Sequence, residues 1–473
     1  MNKNYFLIIF LLVFNNFFSQ INFQPFVNKW TESWPEVVKI GDVNNDGLND
    51  VVLGLTTYGQ HPNNYSILVY LQNHNGTLDD PIRYSYADNV THKEIISIDI
   101  GDLNQDGLND ILIGLQSPVS FSKYGIFYQN SNHTLDPLVS TPVSSRLERV
   151  RIGDMNNDGI NDIVVCTYQS ILLLYQNTAG NFQQSIITKP FLFNQSVAMS
   201  IMEIGDMNND GKNDLVLNAP AFYKLYTYLN TDNGMNNAPI VFDTGQWFDG
   251  MSIGDVNNDG KKDVVLSRGP NSTSKIRILQ QVINNNLYSD NGEIQAYDLP
   301  GPIKVADLNN DGKNEIITVH RGWQNVSVYS QNNSGNYNSY QMFLLPYASS
   351  YNEDGVAIGD INNDGKKDII IANYNRGLDI LYNISSVAQL GTQETRKENI
   401  IKIYPNPATD LIHIKSEIKF ERYSIYDLSG RMIKSGDLIN NEININSLSI
   451  GKYIIEFHSK KDIERFTTSF IKK

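Results

Sequence analysis

One fifteen-residue phrase occurs seven times in this sequence, and it constrains the fold more than any other feature. The first copy, Ile40–Gly54, reads IGDVNNDGLNDVVLG: an acidic, Asn-rich turn followed at once by a run of Val and Leu. The first aspartates of the seven copies are Asp42, Asp102, Asp154, Asp206, Asp255, Asp307 and Asp360. They are spaced 49 to 60 residues apart. A repeat of this length is typical of stacked or radially arranged supersecondary units.

Each repeat is predicted to contain four short β-strands, A to D. Strand A precedes the acidic turn, where Val38 and Ile40 alternate with polar residues in the first repeat, and strand B is the apolar run after the turn. Strands C and D of the first repeat are YSILVYLQN and PIRYSYA. Four short strands in each of seven units favour a seven-bladed β-propeller. A linear solenoid with four strands per rung is the alternative.

The two ends of the repeat array suggest how such a ring closes. The seventh repeat has no strand D of its own, because the residues after LDILYN are polar and lack a strand pattern. An additional segment, INFQPFVNKW (Ile21–Trp30), stands before strand A of the first repeat. We expect this segment to supply strand D of the seventh repeat, which would close the ring without an open sheet edge.

The acidic turn has the ligand pattern of a calcium loop. With Asp42 as position 1, oxygen-bearing side chains stand at positions 1, 3, 5 and 9, glycine at position 6 and a backbone carbonyl at position 7. This pattern matches the start of an EF-hand loop, and calcium prefers such oxygen ligands. The loops contain no His or Cys, which argues against zinc or copper, and magnesium needs a tighter octahedron. We expect up to seven Ca²⁺ ions, with a metal-free Asx turn as the alternative.

The predicted ligands occupy positions 1, 3, 5, 7 and 9 of each loop. They are Asp42, Asn44, Asp46, Leu48 and Asp50; Asp102, Asn104, Asp106, Leu108 and Asp110; Asp154, Asn156, Asp158, Ile160 and Asp162; Asp206, Asn208, Asp210, Lys212 and Asp214; Asp255, Asn257, Asp259, Lys261 and Asp263; Asp307, Asn309, Asp311, Lys313 and Glu315; and Asp360, Asn362, Asp364, Lys366 and Asp368. The sixth loop departs from the pattern, with Ala306 before its first Asp and Glu315 at position 9.

The charge balance agrees with metal ligation rather than with a nucleic-acid partner. The chain has 37 Lys and Arg against 51 Asp and Glu, a net charge of −14. Seven divalent ions would bring 14 positive charges and offset this net charge, whereas an acidic surface repels a phosphate backbone. The single cysteine, Cys166, excludes an internal disulfide framework. The predicted fold is therefore all-β, a seven-bladed β-propeller with calcium loops, followed by a small β-sandwich C-terminal domain.

With strands rather than helices around each loop, the repeats resemble the FG-GAP or VCBS-like repeat of integrin α-subunit propellers. EF-hands and dockerins continue into a helix, and thrombospondin-type repeats are rich in cysteine. The resemblance covers about residues 21–384. It implies calcium at the A–B hairpins. The same repeat occurs in a seven-bladed fungal lectin and in secreted bacterial adhesion and polysaccharide-utilisation proteins.

Both ends of the chain indicate export. Residues 1–19 have a basic residue followed by an apolar stretch, the layout of a secretory signal peptide. Residues 20–384 would be the propeller and residues 385–399 a linker. From residue 400 to 473, YPNP (from Tyr404), DLSGR (from Asp427) and LSIGKY (from Leu448) resemble the C-terminal sorting domain of type IX secretion in Bacteroidetes. The resemblance implies the type IX machinery as a partner and a secreted or cell-surface protein. No transmembrane segment is expected in the mature chain, and we expect a monomer.

The candidate ligand-binding surface is the rim formed by the B–C and D–A connections, opposite the acidic loops. It is rich in aromatic residues, and three B–C connections carry an arginine. The candidate contacts are Arg268, His320, Arg321, Trp323 and Arg376. Arginine presents a planar fork suited to carboxylate or sulfate, which favours an anionic polysaccharide such as a uronate. Solvated turn arginines and aromatic residues used for packing are the alternatives.

The function predicted from these features is a secreted or cell-surface calcium-binding β-propeller that acts as a binding or adhesion module for a glycan or an extracellular protein. A polysaccharide lyase or hydrolase on the same scaffold is the second hypothesis. The sequence has no recognisable nucleophile motif and no sialidase-like box, and a carboxylate saturated by calcium is a poor general base. A binding module is therefore favoured over an enzyme.

Overall fold

A computed structural model describes residues 21–57, 61, 63–87, 94–117, 121–189, 201–269, 274–282, 287–332, 335–337, 339–346, 352–374, 377–385, 401–416, 420–427, 431–459 and 465–473. The chain divides into two compact units, residues 1–388 and 389–473. Both units are built from β-strands, so the all-β prediction is confirmed. Two single-turn 3₁₀ helices, Pro220–Phe222 and Glu353–Gly355, are the helical elements in the described part of the chain. The predicted signal peptide and nearly all of the linker lie outside the described residues.

The described residues of the first unit form seven four-stranded antiparallel sheets, numbered here in chain order. The first described strand, β1 (Val27–Lys29), belongs to the last of them. Sheet 1 contains β2 (Pro35–Gly41), β3 (Asp50–Leu55), β4 (Ser66–Tyr70) and β5 (Ile82–Ser85). Sheet 2 contains β6 (Glu94–Gly101), β7 (Asp110–Gln116), β8 (Lys123–Phe127) and β9 (Val139–Pro142). Sheet 3 contains β10 (Leu147–Gly153), β11 (Asp162–Thr167), β12 (Ser170–Gln176) and β13 (Phe182–Thr188).

The remaining sheets repeat this order. Sheet 4 contains β14 (Ile201–Gly205), β15 (Asp214–Ala219), β16 (Lys224–Tyr228) and, after the small hairpin of β17 (Asn230–Thr231) and β18 (Gly234–Met235), β19 (Ile240–Asp243). Sheet 5 contains β20 (Gly250–Gly254), β21 (Asp263–Arg268), β22 (Lys275–Gln281) and β23 (Tyr288–Gln295). Sheet 6 contains β24 (Pro300–Ala306), β25 (Glu315–His320), β26 (Asn325–Tyr329) and β27 (Tyr340–Leu344). Sheet 7 contains β28 (Val356–Gly359), β29 (Asp368–Asn373), β30 (Gly377–Leu381) and β1.

The apolar run after each acidic turn becomes the second strand of its sheet. In sheet 1 this strand, β3, is buried along its whole length, whereas the fourth strand, β5, is mostly exposed. Continuous burial explains why the run is apolar at every position rather than alternating, because both of its faces contact protein. The turn itself joins β2 to β3, with Gly41 paired to Asp50 at the end of the ladder.

The sheets pack on one another in cyclic order. One hydrophobic cluster lies between each pair of consecutive sheets, and a further cluster joins sheet 7 to sheet 1. In that last cluster Val51 and Leu53 of β3 pack with Ile370 of β29. Residues more than 300 positions apart in the sequence therefore share one core.

The glycine before six of the seven loops shows why the repeat begins with Ile-Gly. A β-carbon added to Gly41 would lie 3.1 Å from Cγ2 of Ile100 in the next sheet, and one added to Gly359 would lie 3.1 Å from Ile40 of sheet 1. The same contact occurs at Gly101, Gly153, Gly205 and Gly254. A side chain there would displace the isoleucine or valine of the following sheet, so glycine permits close approach of neighbouring inner strands.

The prediction that the N-terminal segment supplies the fourth strand of the seventh repeat is confirmed. Residues Val27–Lys29 pair antiparallel with β30, with Val27 opposite Ile380. Asn28 Nδ2 also donates a 2.6 Å hydrogen bond to Asp379 Oδ1, and Ile21 is buried in the cluster between sheets 6 and 7. The N-terminal segment thus covers an edge that would otherwise be exposed.

Deleting residues 21–30 is expected to destabilise the first unit by roughly 3–5 kcal/mol, through the lost burial of Ile21 and the lost ladder bonds. The exposed edge of β30 should also promote aggregation. Thermal melting and light scattering should be compared with those of a chain that begins at residue 20, and a peptide of residues 21–31 added in trans should restore part of the loss. Equal melting temperatures for the two chains would show that this strand does not stabilise the unit.

The second unit contains two sheets around its own core. Its strands are β31 (Ile401–Tyr404), β32 (Leu411–Ser416), β33 (Phe420–Tyr426), β34 (Met432–Asp437), β35 (Glu442–Asn444), β36 (Gly451–Ser459) and β37 (Arg465–Lys472). They form one sheet in the order β31-β32-β35 and another in the order β34-β33-β36-β37. Ile412 of the first sheet and Ile425 and Phe457 of the second are fully buried in the same cluster.

Candidate metal loops, central channel and rim

The acidic loops share one backbone conformation. Position 4 has a positive φ in every loop, 59° at Asn45, and position 6 is a glycine with φ near 80°, 83° at Gly47. Asparagine and glycine tolerate this region better than other residues, which explains the repeated Asn-Asp-Gly. The loop folds around the carboxylate of its first residue, because Gly47 N donates to Asp42 Oδ2 at 2.9 Å. The equivalent bond is 2.8–2.9 Å long in the other six loops.

Position 9 is a buried carboxylate that joins the loop to the sheet. Asp50 is fully buried; its Oδ2 accepts a hydrogen bond from Val43 N at 2.9 Å and its Oδ1 accepts one from Gln72 N at 2.9 Å. Burial, with the charges of Asp46 and Asp42, raises the pKa of Asp50 to about 6. The same causes raise the pKa of Asp110 and Asp368 to about 7. Position 9 therefore holds its negative charge at an energetic cost in the metal-free loop.

The donor chemistry of the loops fits a hard divalent cation. Every predicted side-chain ligand is an oxygen donor. A cation would offset the negative charge of the buried carboxylate at position 9. Within the described residues no three Asp, Glu, His or Cys side chains already lie together as a metal cluster. The loop oxygens instead accept N–H groups, as when Asp46 Oδ1 accepts from Leu48 N at 2.8 Å. These side-chain oxygens, with the carbonyl at position 7, would hold a calcium ion if one binds.

The sixth loop keeps the fold of the others despite its substitution. Glu315 is buried, and its Oε2 accepts from Leu308 N at 2.9 Å, as the aspartates do from their own loops. Burial and the charges of Asp311 and Asp307 raise the pKa of Glu315 to about 8. The longer side chain thus reaches the same backbone donor but is harder to ionise.

The residue at position 8 has a structural role that the sequence interpretation did not identify: it joins one loop to the preceding loop. The Asn49 side-chain amide donates to the backbone carbonyl of Asp360 at 3.0 Å, joining the first loop to the seventh. Four other loops make the same bond to the preceding loop, from Asn109, Asn161, Asn213 and Asn314. Loops five and seven have Lys262 and Lys367 there instead. The recurrence of Asn at position 8 in five of seven copies was the available signal.

The first strands of all seven sheets line a central cavity of about 360 Å³. The residue three positions before each loop forms a ring around it, named here the channel ring: Lys39, Asp99, Arg151, Glu203, Ser252, Lys304 and Ala357. Lys39 pairs with Asp99 at 2.7 Å and Arg151 with Glu203 at 3.5 Å. Neighbouring sheets are thereby linked by ion pairs as well as by apolar packing.

A short segment, Asn352–Gly355, plugs this channel. Asp354 accepts two hydrogen bonds from Arg151, 2.7 Å to Oδ1 and 2.9 Å to Oδ2, and a third from Ser97 Oγ at 2.6 Å. Glu353 Oε1 accepts from the backbone N–H groups of Met251 and Ile303. The plug thus bonds to the inner strands of sheets 2, 3, 5 and 6.

The electrostatics of the plug favour a permanently charged pair. Burial opposes ionisation of Asp354, but the charges of Arg151 and Arg149 hold its pKa far below the usual range. The pKa of Arg151 is raised, because Asp354 and Glu203 outweigh its own burial. The alternating charges of the channel ring were visible in the sequence, whereas their connection to residue 354, some 200 positions away, was not.

The rim places the predicted ligand contacts in different environments. The inclusion of His320 as a contact was wrong: this residue is fully buried, bonded through its ring nitrogens to the Asp298 carbonyl and to Ser327 Oγ. Burial lowers its pKa to about 4, so it is a neutral core histidine at physiological pH. Arg376 lies outside the described residues.

The other two arginines already have carboxylate partners. Arg268 lies 3.6 Å from Glu293, and Arg321 lies 3.4 Å from Asp249. The structure therefore balances both charges internally, which weakens the expectation of an anionic ligand at these two positions. Trp323 is 41% exposed and makes an edge contact with Tyr297.

A rim residue not singled out as a contact completes this cluster. Trp247 is 36% exposed, and its Nε1 donates to Asp249 Oδ1 at 2.7 Å, the same oxygen that faces Arg321. In contrast, Trp34 stacks on Tyr374 at 4.7 Å and serves the packing of sheet 1 on sheet 7. Trp247, Asp249, Arg321 and Trp323 are named here the rim cluster.

This architecture is that of a repeat protein built from consecutive four-stranded sheets, each of which carries one acidic loop. The chain matches the FG-GAP-like repeat at residues 42–113, 154–217, 206–266 and 307–371, more than half of its length. The protein belongs to the FG-GAP-like repeat family. Residues 402–473 match a secretion system C-terminal sorting domain. Both resemblances predicted from the sequence are thus confirmed.

Three individual proteins illustrate the similarity. Integrin alpha-6 of Gallus gallus is 30% identical over 105 residues, covering 19% of this chain and 10% of the integrin. Integrin alpha-PS3 of Drosophila melanogaster is 26% identical over 98 residues, covering 18% and 9%. This chain therefore spans about a tenth of the length of these relatives. A solved structure of an Agrocybe aegerita lectin, described as recognising non-reducing terminal N-acetylglucosamine, matches with a TM-score of 0.47 and 18% identity over 66% of this chain and 81% of the lectin chain.

The sorting domain indicates a protein that is secreted or displayed at the cell surface through type IX secretion. Among the described residues, no helix has the length and apolar character needed to span a membrane.

Proposed function

We propose that residues 21–384 form a seven-bladed β-propeller, stabilised by calcium in its acidic loops, that acts outside the cell as a binding module for glycans. Cyclic packing of the seven described sheets supports the propeller, because the cluster between sheets 7 and 1 resembles those between consecutive sheets. The oxygen-only donor set of the loops supports calcium. Membership in the FG-GAP-like repeat family and the sorting domain support an extracellular binding role.

The observation that carries the glycan proposal is the rim cluster. Trp247 and Trp323 expose flat apolar rings at the rim, on connections of sheets 4–5 and 6. Asp249 is held by Trp247 Nε1 and by Arg321. Aromatic rings next to an oriented carboxylate and a planar donor fork suit the apolar face and the hydroxyl groups of a sugar. Because Arg321 is already paired with Asp249, we assign the cluster to sugar hydroxyls rather than to an acidic group.

Replacing Trp247 with Ala should weaken glycan binding about tenfold or more, because a stacking platform and one hydrogen bond that orients Asp249 are lost together. Binding of neutral oligosaccharides of N-acetylglucosamine, galactose and mannose, and of polygalacturonate, should be measured by titration calorimetry. Trp30→Ala is the matched control, since Trp30 is 57% exposed but lies outside the cluster.

Asp249→Asn should weaken the same glycan binding. Its melting temperature should stay within a few degrees of the native value, because Asp249, like Trp247, lies at the rim. Equal affinities for Trp247→Ala and Trp30→Ala would remove the rim cluster as the site. Salt-sensitive binding to polygalacturonate alone would contradict recognition through hydroxyl groups. Release of soluble products from the polymer would instead identify an enzyme.

A further inference from the structure

Hydrogen bonds join the acidic loops to one another in a series that is open at one point. In five neighbouring pairs a position-8 asparagine donates to the position-1 carbonyl of the preceding loop; the donors are Asn49, Asn109, Asn161, Asn213 and Asn314. Loop six is joined to loop seven differently, because Asn310 Nδ2 donates to the carbonyl of Gly365 at 2.9 Å. Six of the seven neighbouring pairs are therefore bonded directly.

The missing bond lies between loops four and five. Loop five has Lys262 at position 8. A β-carbon added to Gly205 would lie 2.8 Å from Lys262 Nζ. The corresponding distance from Gly101 to Asn161 Nδ2 is 3.1 Å, so the lysine lies where other loops place asparagine. Both loops belong to the described part of the chain, and within it Lys262 makes no hydrogen bond to loop four.

Each asparagine bond connects residues that would hold calcium. Position 8 lies between two predicted ligands, the carbonyl of position 7 and the carboxylate of position 9. In loop two, Asn109 stands between Leu108 and Asp110. Its amide donates at 2.8 Å to the carbonyl of Asp42, whose side chain is a predicted ligand of loop one. Fixing positions 7 and 9 in one loop therefore also fixes position 1 in the loop before it.

We propose that these bonds couple the seven calcium sites in series, so that occupation of one loop raises the affinity of the loops bonded to it. A loop whose position 1 or position 8 is already held loses less conformational freedom when it binds its own ion, which gives positive cooperativity. Loops four and five, which share no bond between described residues, are the two ends of the series. The proposal rests on the calcium binding proposed above and extends it to the relation between loops.

Charge alone would give coupling of the opposite sign. Each empty loop carries three carboxylates, and the negative field of one loop attracts cations to its neighbours. An ion bound in one loop reduces this field, which would weaken binding in the next loop. Salt screens such interactions beyond about 8 Å at physiological ionic strength, whereas coupling through hydrogen bonds is not screened in this way. Positive cooperativity that persists at high salt therefore identifies the hydrogen-bonded route.

The test is equilibrium dialysis of the chelator-treated protein against radioactive calcium, which measures the number of bound ions and the Hill coefficient. The native chain is expected to have a Hill coefficient above one. Asn109→Ala divides the series near its middle and should lower this coefficient, with a loss of about fivefold in affinity at the two adjoining loops. Lys262→Ala is the matched control, because it removes a position-8 side chain that makes no bond to the preceding loop among the described residues.

A gain of coupling provides the second arm of the test. Lys262→Asn places an amide donor at position 8 of loop five and should raise the Hill coefficient above that of the native chain, a gain that partial unfolding cannot imitate. Asn49→Ala breaks an exposed bond at the neighbouring junction and takes the place of Asn109→Ala if that variant does not fold.

The negative results distinguish the coupling from the calcium sites themselves. Bound calcium with equal Hill coefficients in the native chain, Asn109→Ala and Lys262→Asn would overturn the coupling and leave the calcium sites in place. Absence of bound calcium would overturn both. A Hill coefficient lowered as much by Lys262→Ala as by Asn109→Ala would also overturn the proposal, because position 8 would then act without a bond between loops.

Discussion

Removal of calcium is expected to lower the melting temperature of the first unit by tens of degrees. Binding to the native state alone stabilises by about 2.7 kcal/mol per site when the free ion is at 100 times its dissociation constant. Seven loops of one conformation would multiply that effect. The metal-free loop is also under electrostatic stress, because burial and neighbouring carboxylates raise the pKa of Asp50 to about 6 and of Glu315 to about 8.

Scanning calorimetry of the protein with calcium, and after treatment with chelator, checks this expectation, with metal analysis confirming that calcium was removed. Calcium added back should restore the transition. A single Asp46→Ala substitution should cost much less than complete removal, since six loops remain intact. Asp79→Ala is the control, because Asp79 is an exposed aspartate outside the acidic loops. Superimposable melting curves with and without calcium would show that the loops are metal-free turns.

The sixth loop provides an internal comparison. Glu315→Asp would restore the residue found at position 9 of the other loops, whereas Asp50→Glu would give the first loop the sixth loop's residue.

The sequence predicted the elements of this fold that repeat. The acidic turns and the apolar second strands were visible because seven copies in register make a local pattern unambiguous, and the segment around Val27 was identified because the seventh repeat has no strand D of its own. The glycine before six of the seven loops also recurs for one reason, because it lies against the isoleucine or valine of the next sheet, but the sequence interpretation did not assign it that role.

What could not be predicted depends on contacts that occur once. His320 was interpreted as a rim contact because the stretch HRG was assigned to a B–C connection, but strand β25 extends through His320, which is buried against Ser327. The plug is similar: Asn352–Gly355 looks like an ordinary connection in the sequence, and its partners lie about 50 to 257 residues away. Such pairings cannot be predicted from residue types alone, because the paired residues come together only when the sheets pack on one another.

Breaking the buried pair between Arg151 and Asp354 is expected to have the second-largest effect. Asp354→Asn removes the nearer of the two carboxylates paired with the buried Arg151 guanidinium group, 2.7 Å away against 3.5 Å for Glu203, and removing one partner of such a buried pair costs about 3–5 kcal/mol. For a unit of this size the melting temperature should fall by roughly 5–10 °C. The double variant Arg151→Met/Asp354→Leu should recover most of this loss, because two apolar side chains of similar volume need no compensation.

The pH dependence distinguishes the charge pair from simple packing. The pKa of Asp354 in the folded protein is depressed, so its contribution is fully present above the unfolded value of about 4 and is lost as the pH falls below it. The stability difference between the native chain and Asp354→Asn should therefore be constant from pH 5 to 8 and shrink below about pH 4. The double variant should lack this acid-dependent component. A difference that stays constant down to pH 2 would show that Asp354 stabilises the channel through shape alone, and the plug would then be a packing element rather than an ionic link between the inner strands.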